Sequence, residues 1–250
     1  MVRRNKNYEM VEANDHSENV DQGMPSSAYS PGPLESLSDD LEHVRERPRM
    51  YVGKDLSTES IHFVMEQLLD LTVRKKKTES ISCVLVTVYR DGSVSVEDDG
   101  HGIATDIDPA LSKRVGCEIS CLEGVMRLLT FYRKISHWDW DYPAYQVRTG
   151  FHLDGCDLAL TNLLSCWCDM EVYCDGFVWH QRYVRGVPQS PVQQGAATMK
   201  HGTKITFKLD ADIFKTVALD HDRLAIQIQE LADRHQGLTI GFKDERSDLS

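Results

Sequence analysis

The chain opens polar and turns globular near Leu37. Residues 1–36 carry few large apolar side chains and include Pro25-Ser26-Ser27 and Ser30-Pro31-Gly32-Pro33. Such a segment cannot bury enough apolar surface to offset its ordering entropy, so a mobile arm is expected there. Ser38 then stands where a helix cap is expected, with the helix running to about Arg45 and stopped by Pro48. Ile61, Val64, Met65, Leu68, Leu69 and Val73 recur at helical spacing and predict a helix over 58–74. Residues 82–89 run apolar like a strand, and Asp91-Gly92 turns the chain into a second strand over 93–97. Another hairpin is expected over 170–174 and 177–183, around Asp175-Gly176. Helical stretches near 121–133 and 155–165, a strand over 203–209, a helix over 221–235 and a strand over 238–243 complete the pattern. Hairpin strands with helices arriving in blocks predict an α+β protein, its helices over one face of a mixed sheet.

Composition narrows the function classes. At 250 residues, 41% hydrophobic and 27% charged, the chain is one large globular domain or two small ones. No apolar run approaches the ~18 residues that span a bilayer, and the first fifteen residues lack a signal-peptide core, so a cytoplasmic protein without membrane contact is expected. The formal net charge is −11, and residues 1–40 alone carry three basic against eight acidic side chains. A nucleic-acid backbone would be repelled, so direct nucleic-acid binding is not expected. Seven cysteines without paired spacing fit a reducing compartment. Cys166 and Cys168 share a strand face, but no second Cys or His pair stands at zinc spacing. Arg74-Lys75-Lys76-Lys77 reads as a solvated helix end that favours the C-terminal dipole.

Three segments resemble the N-terminal ATP-binding domain of the gyrase B and topoisomerase IV B family, a branch of the GHKL ATPases. The first is Leu41-Glu42-His43-Val44-Arg45-Glu46-Arg47-Pro48-Arg49-Met50-Tyr51-Val52-Gly53, with Arg49 where the family has glycine. The second is Asp91-Gly92-Ser93-Val94-Ser95-Val96-Glu97-Asp98-Asp99-Gly100-His101-Gly102-Ile103, similar to the strand and loop that read adenine. The third runs from Asp175-Gly176 through His180-Gln181-Arg182 and Gly186-Val187-Pro188 to His201-Gly202-Thr203. The resemblance covers residues 37–246 in order and spacing. It implies the two-layer α/β sandwich known as the Bergerat fold over 37–250, preceded by an acidic arm over 1–36.

The resemblance also assigns roles. The family carries Glu-x-x-x-Asn on one helix, the Glu as general base and the Asn on Mg²⁺; Glu66 and Asp70 stand at that spacing. Asp70 still offers oxygen to a metal, while Leu69 and Arg74 replace acidic family positions. Asp98, Gly100 and Gly102, with Ile103 after them, match the adenine reader, its glycines giving the base room to approach. Thr203 matches the pocket threonine beside that aspartate. His180 stands where the family has an arginine at the pocket mouth.

The phosphate end departs from the family. Its glycine-rich lid, whose bare amides cradle the triphosphate, reads Thr149-Gly150-Phe151-His152-Leu153-Asp154-Gly155 here. Leu153 obstructs a close backbone approach. Asp154 adds a carboxylate among phosphates, and two like charges ~4 Å apart cost about 4 kcal/mol at an effective dielectric near 20. Upstream, Lys134 keeps a phosphate-facing lysine, but Trp138, Trp140 and Tyr142 are bulky and apolar. The expectation is a gyrase-B-like domain, free-standing and without the family's next domain, that binds a small, partly apolar ligand in the former nucleotide pocket. No cofactor is required on this reading, and a monomer or weak homodimer is expected. Two classes compete within it. One is an enzyme using Glu66, Asp70, Asp98, His152 and Asp154 for acid–base chemistry, such as a cyclisation or isomerisation. The other is a binding module that sequesters a gyrase inhibitor or docks on a true topoisomerase. A working Mg²⁺-dependent ATPase, with Asp70 as metal ligand, is the third reading.

Overall fold

The computed structural model describes residues 35–74, 81–128 and 157–246. The predicted arm lies outside the described residues apart from its last two positions, and so do Lys134, Trp138, Trp140, Tyr142, His152 and Asp154. The first helix, α1 (Glu35–Glu46), begins three residues ahead of the expected Ser38 cap. Pro48 ends that run and opens a single turn, α2 (Arg49–Val52). The helix predicted over 58–74 is α3 (Thr58–Arg74). Its Ile61, Val64, Met65, Leu68 and Leu69 are buried, while Glu59, Phe63 and Glu66 form an exposed stripe with half-buried Asp70 beside it.

Both predicted hairpins form. The first joins β1 (Cys83–Val88) to β2 (Val94–Asp98), the second β3 (Ser165–Cys174) to β4 (Phe177–Val184). Short β5 (Val187–Pro188) and β6 (Gln193–Ala197) add to the edge at β4, and β7 (Gly202–Leu209) lies between β3 and β2. The eight strands run β5-β4-β3-β7-β2-β1-β8, with β6 also on β4. The last strand, β8 (Thr239–Asp244), is parallel to β1, whereas the other strand pairs described are antiparallel, which makes the sheet mixed.

Alternation sorts the sheet into two faces. Val84, Val86, Val94, Val96, Ile205, Phe207, Met170, Val172 and Tyr183 are buried on the inner face. The outer face carries ion pairs instead, such as Arg182 with Asp169 at 3.0 Å and Lys204 with Glu171 at 4.0 Å. Helices α4 (Pro109–Val115), α5 (Cys121–Arg127), α6 (Asp157–Leu163) and α7 (His221–Arg234) complete the described elements. Helix α6 packs on α3 and α5 and on strands β3 and β7, which closes the core between the two layers. The caps are local: Asp108 accepts from the N–H groups of Ala110 and Leu111 at 3.0 Å, and Ser120 accepts from Glu123.

His62 ties α3 to α7. It is fully buried, accepts from the Asp220 N–H through Nε2 at 3.1 Å, and donates through Nδ1 to Gln227 Oε1 at 2.9 Å. Burial pushes its pKa below the ordinary value, and the Gln227 hydrogen bond offsets only part of this. The folded protein therefore prefers the neutral ring. As pH falls through about 6.5 the unfolded chain takes up the proton first, so stability is lost on acidification. Thermal unfolding between pH 7.5 and 5.5 should show a fall in Tm that is flatter in His62→Gln.

Candidate functional site

The site grows from one row of residues across the inner face. Asp98 on β2 stands opposite Thr203 on β7; Thr203 stands opposite Val172 on β3, and Val172 opposite Trp179 on β4. Asp98 is 7% exposed and Thr203 4%. The Gly100 N–H donates to Asp98 Oδ1 at 3.0 Å, which fixes the carboxylate at the start of its turn. Thr203 Oγ1 is buried and finds no hydrogen-bond partner among the described residues. An unsatisfied buried hydroxyl costs about 1–3 kcal/mol, which a ligand's polar edge would recover. Asp98 and Thr203 thus offer a hydrogen-bonding pair of the kind a heterocycle edge can meet.

Two glycines hold this row together. Gly102 has φ +81°, and a Cβ there would lie 3.0 Å from Val172 Cγ1 and 3.1 Å from the Gly202 carbonyl oxygen. The space that Gly102 leaves open is thus taken by the protein's own backbone at β7, not held for a ligand. Gly202, at φ +118°, meets Asp98 still more closely. Asp99 anchors the turn from the other side: its Oδ1 accepts from the N–H groups of Ser82 and Cys83 at 2.9 and 3.0 Å. Ile103 follows as a buried core residue, 1% exposed.

Glu66 and Asp70 stand one turn apart on α3. Both line a small depression between α3 and α7, with Leu69, Gln227, Glu230, Leu231 and Arg234. Glu66 also lines a second depression beside Phe63 and Arg223. Neither depression includes Asp98, Gly100, Gly102 or Thr203. Glu59 on the same stripe pairs with Arg223 of α7, one contact at 2.7 Å. The side of α3 that carries Glu66 and Asp70 is therefore the side that meets α7.

His180 is displaced from the row. On β4 it alternates with Trp179 and Gln181, is exposed, and stands opposite Glu171 on the outer face. Its ring packs against Gly195 of β6, where an added Cβ would come within 3.1 Å. Trp179 occupies the inner-face position instead, and its buried indole N–H has no acceptor among the described residues. Helices over one face of a mixed sheet, with an aspartate and a threonine paired on the covered face, fit the GHKL fold that the resemblance implies.

No family model matches the chain. It is similar to the DNA gyrase B protein of Clostridium acetobutylicum, 34% identical over 208 residues, which are 83% of this chain and 30% of that protein. It is 36% identical over 204 residues to the DNA gyrase B protein of Thermotoga maritima, 82% of this chain and 30% of that one. It is 32% identical over 225 residues to the type 2 topoisomerase B protein of Aquifex aeolicus, 90% of this chain and 26% of that one. The chain is thus homologous over most of its length to the B proteins of gyrase and type 2 topoisomerase, and carries a gyrase-B-like GHKL domain. It spans about 30% or less of the length of these relatives. Among the described residues no helix is long and apolar enough to cross a membrane.

Proposed function

We propose that this gyrase-B-like domain uses the pocket over Asp98 and Thr203 to bind a small, partly apolar ligand and does not turn over Mg²⁺-ATP. The observation that carries the reading is the buried hydrogen-bonding pair on the inner face. The hydrogen-bonding pair stays on the inner face with Thr203 Oγ1 unsatisfied, while the acidic pair of α3 faces α7. The residues present fit a heterocycle edge. At the metal position a carboxylate, Asp70, stands where the family has an amide, on the stripe of α3 that lines a depression with α7. Leu153 and Asp154, outside the described residues, stand in the sequence at positions of the family's glycine-rich lid motif. Acid–base chemistry on the ligand is assigned by the family resemblance to Glu66, His152 and Asp154, the last two outside the described residues. The six described cysteines form no disulfide among themselves, which suits the cytoplasm.

Calorimetric titration with a non-hydrolysable ATP analogue, with and without Mg²⁺, tests this reading. The expected result is weak binding that Mg²⁺ does not strengthen, abolished by Asp98→Asn and unchanged by Glu66→Gln. Saturable binding that requires Mg²⁺, together with ATP turnover that Glu66→Gln abolishes, would return the domain to the ATPases.

A further inference from the structure

A second cleft opens where the inner-face row ends. Its volume is about 810 Å³, within the range of small-molecule sites. It is lined by four acidic residues, Asp106, Glu118, Glu123 and Asp175, and by Trp179 and Pro188. None of the described lining residues is basic. Glu123 is bonded to Arg127 and accepts from Gln181 Nε2 at 3.1 Å, so it shapes the floor. Asp106, Glu118 and Asp175 are exposed around it. A concave surface with low-dielectric walls and charge of one sign concentrates its field on whatever enters. The Cys174 thiol reports that field: burial first, then the neighbouring charges of Asp175 and Asp106, push its pKa up.

Trp179 adds a separate sign of a ligand. It lines this cleft, and its buried Nε1–H has no acceptor among the described residues. A group placed there meets an aromatic face, a hydrogen-bond donor and a ring of carboxylates. We propose that the cleft binds a small organic cation, an amidinium or guanidinium on a flat apolar frame that also carries a carbonyl acceptor. The cation faces the carboxylates, the frame stacks between Trp179 and Pro188, and the acceptor takes the indole N–H. This site is distinct from the pocket at Asp98 and does not depend on what that pocket binds.

The test uses 4-carbamoylbenzamidine as probe and its neutral isostere terephthalamide as control, by calorimetry on the full chain. The probe should bind at least about tenfold more tightly than the isostere. Neutralising the rim in Asp106→Asn/Glu118→Gln/Asp175→Asn should weaken it by about the same factor. Glu118→Gln alone, at an exposed position, supplies a milder variant should the triple one fail to fold. Trp179→Phe should weaken the probe more than it weakens benzamidine, which has no acceptor. No probe binding, equal affinity for terephthalamide, affinity unmoved by Glu118→Gln and by a folded triple variant, or loss of binding in Asp98→Asn would each overturn the proposal.

Discussion

Gly202→Ala is expected to destroy the site and most of the stability of the domain. A Cβ at this position would lie 1.8 Å from the carbonyl oxygen of Asp98, 2.8 Å from its carbonyl carbon and 3.1 Å from Asp99 Cα. These are backbone atoms and cannot swing aside as a long side chain does. The backbone also has φ +118°, a region that L side chains rarely adopt. The only relief is to separate β2 from β7 at the end where Asp98 and Thr203 are paired. We expect a loss of more than about 3 kcal/mol, and a fall in Tm on the order of 10 °C for a domain of this size. Gly92→Ala is the control: its φ is +81°, but nothing lies within 4 Å of the added Cβ, so the cost should be about 1 kcal/mol of backbone strain. Two variants melting together would refute the close approach at Gly202.

Arg45→Ala should be the next most damaging substitution. The Asp210 side chain is only 3% exposed and pairs with Arg45, while the half-exposed Arg185 reaches it at 3.3 Å. Arg45 also donates to the Leu163 carbonyl at 2.9 Å, which pins α1 to the end of α6. Burial works to raise the Asp210 pKa, but the hydrogen bonds from Arg45 and the Asp212 N–H, with the charges of Arg45 and Arg185, hold it below the usual range. Removing Arg45 leaves a buried carboxylate with one partly solvated partner, at a cost of about 2–4 kcal/mol. Asp210→Asn in the Arg45→Ala background should recover part of that loss. The sign with pH follows from the lowered folded pKa: the stabilisation is complete above about 4 and is lost as pH falls through the folded value. Urea unfolding at pH 7 and near pH 3.5 should therefore show the gap between wild type and Arg45→Ala narrowing in acid.

The fold was largely legible because its long elements carry strong periodic patterns. The 58–74 helix, both hairpins around Asp-Gly turns and the closing strand–helix–strand run were all placed from apolar spacing and turn chemistry. Elements without such a pattern were missed. Strand β6 is exposed at all five residues, so no apolar alternation marks it. Helix α4 shows itself only through the Asp108 cap, the following proline and the left-handed Gly116 at its end. The Asp98–Thr203 half of the site was legible because its glycines and short motifs carry backbone requirements that survive in one dimension. The contact of the acidic pair of α3 with α7 was not legible, because spacing alone does not say which neighbour a helix stripe meets. A one-residue shift turns the choice by about 100°.

By itself the sequence determined the local shapes: where chains turn, which helix is amphipathic, and which glycines must stay bare. Those properties rest on φ/ψ sterics and apolar periodicity, which act between neighbours along the chain. Only the tertiary structure decided which face of each element meets which partner. It placed α7 against Glu66 and Asp70, set Trp179 rather than His180 on the inner face, and put the Gly202 backbone against Asp98. These relations join residues about 50 to 160 positions apart in the sequence. They depend on how two layers bury their apolar faces together, a constraint that no short stretch of sequence carries.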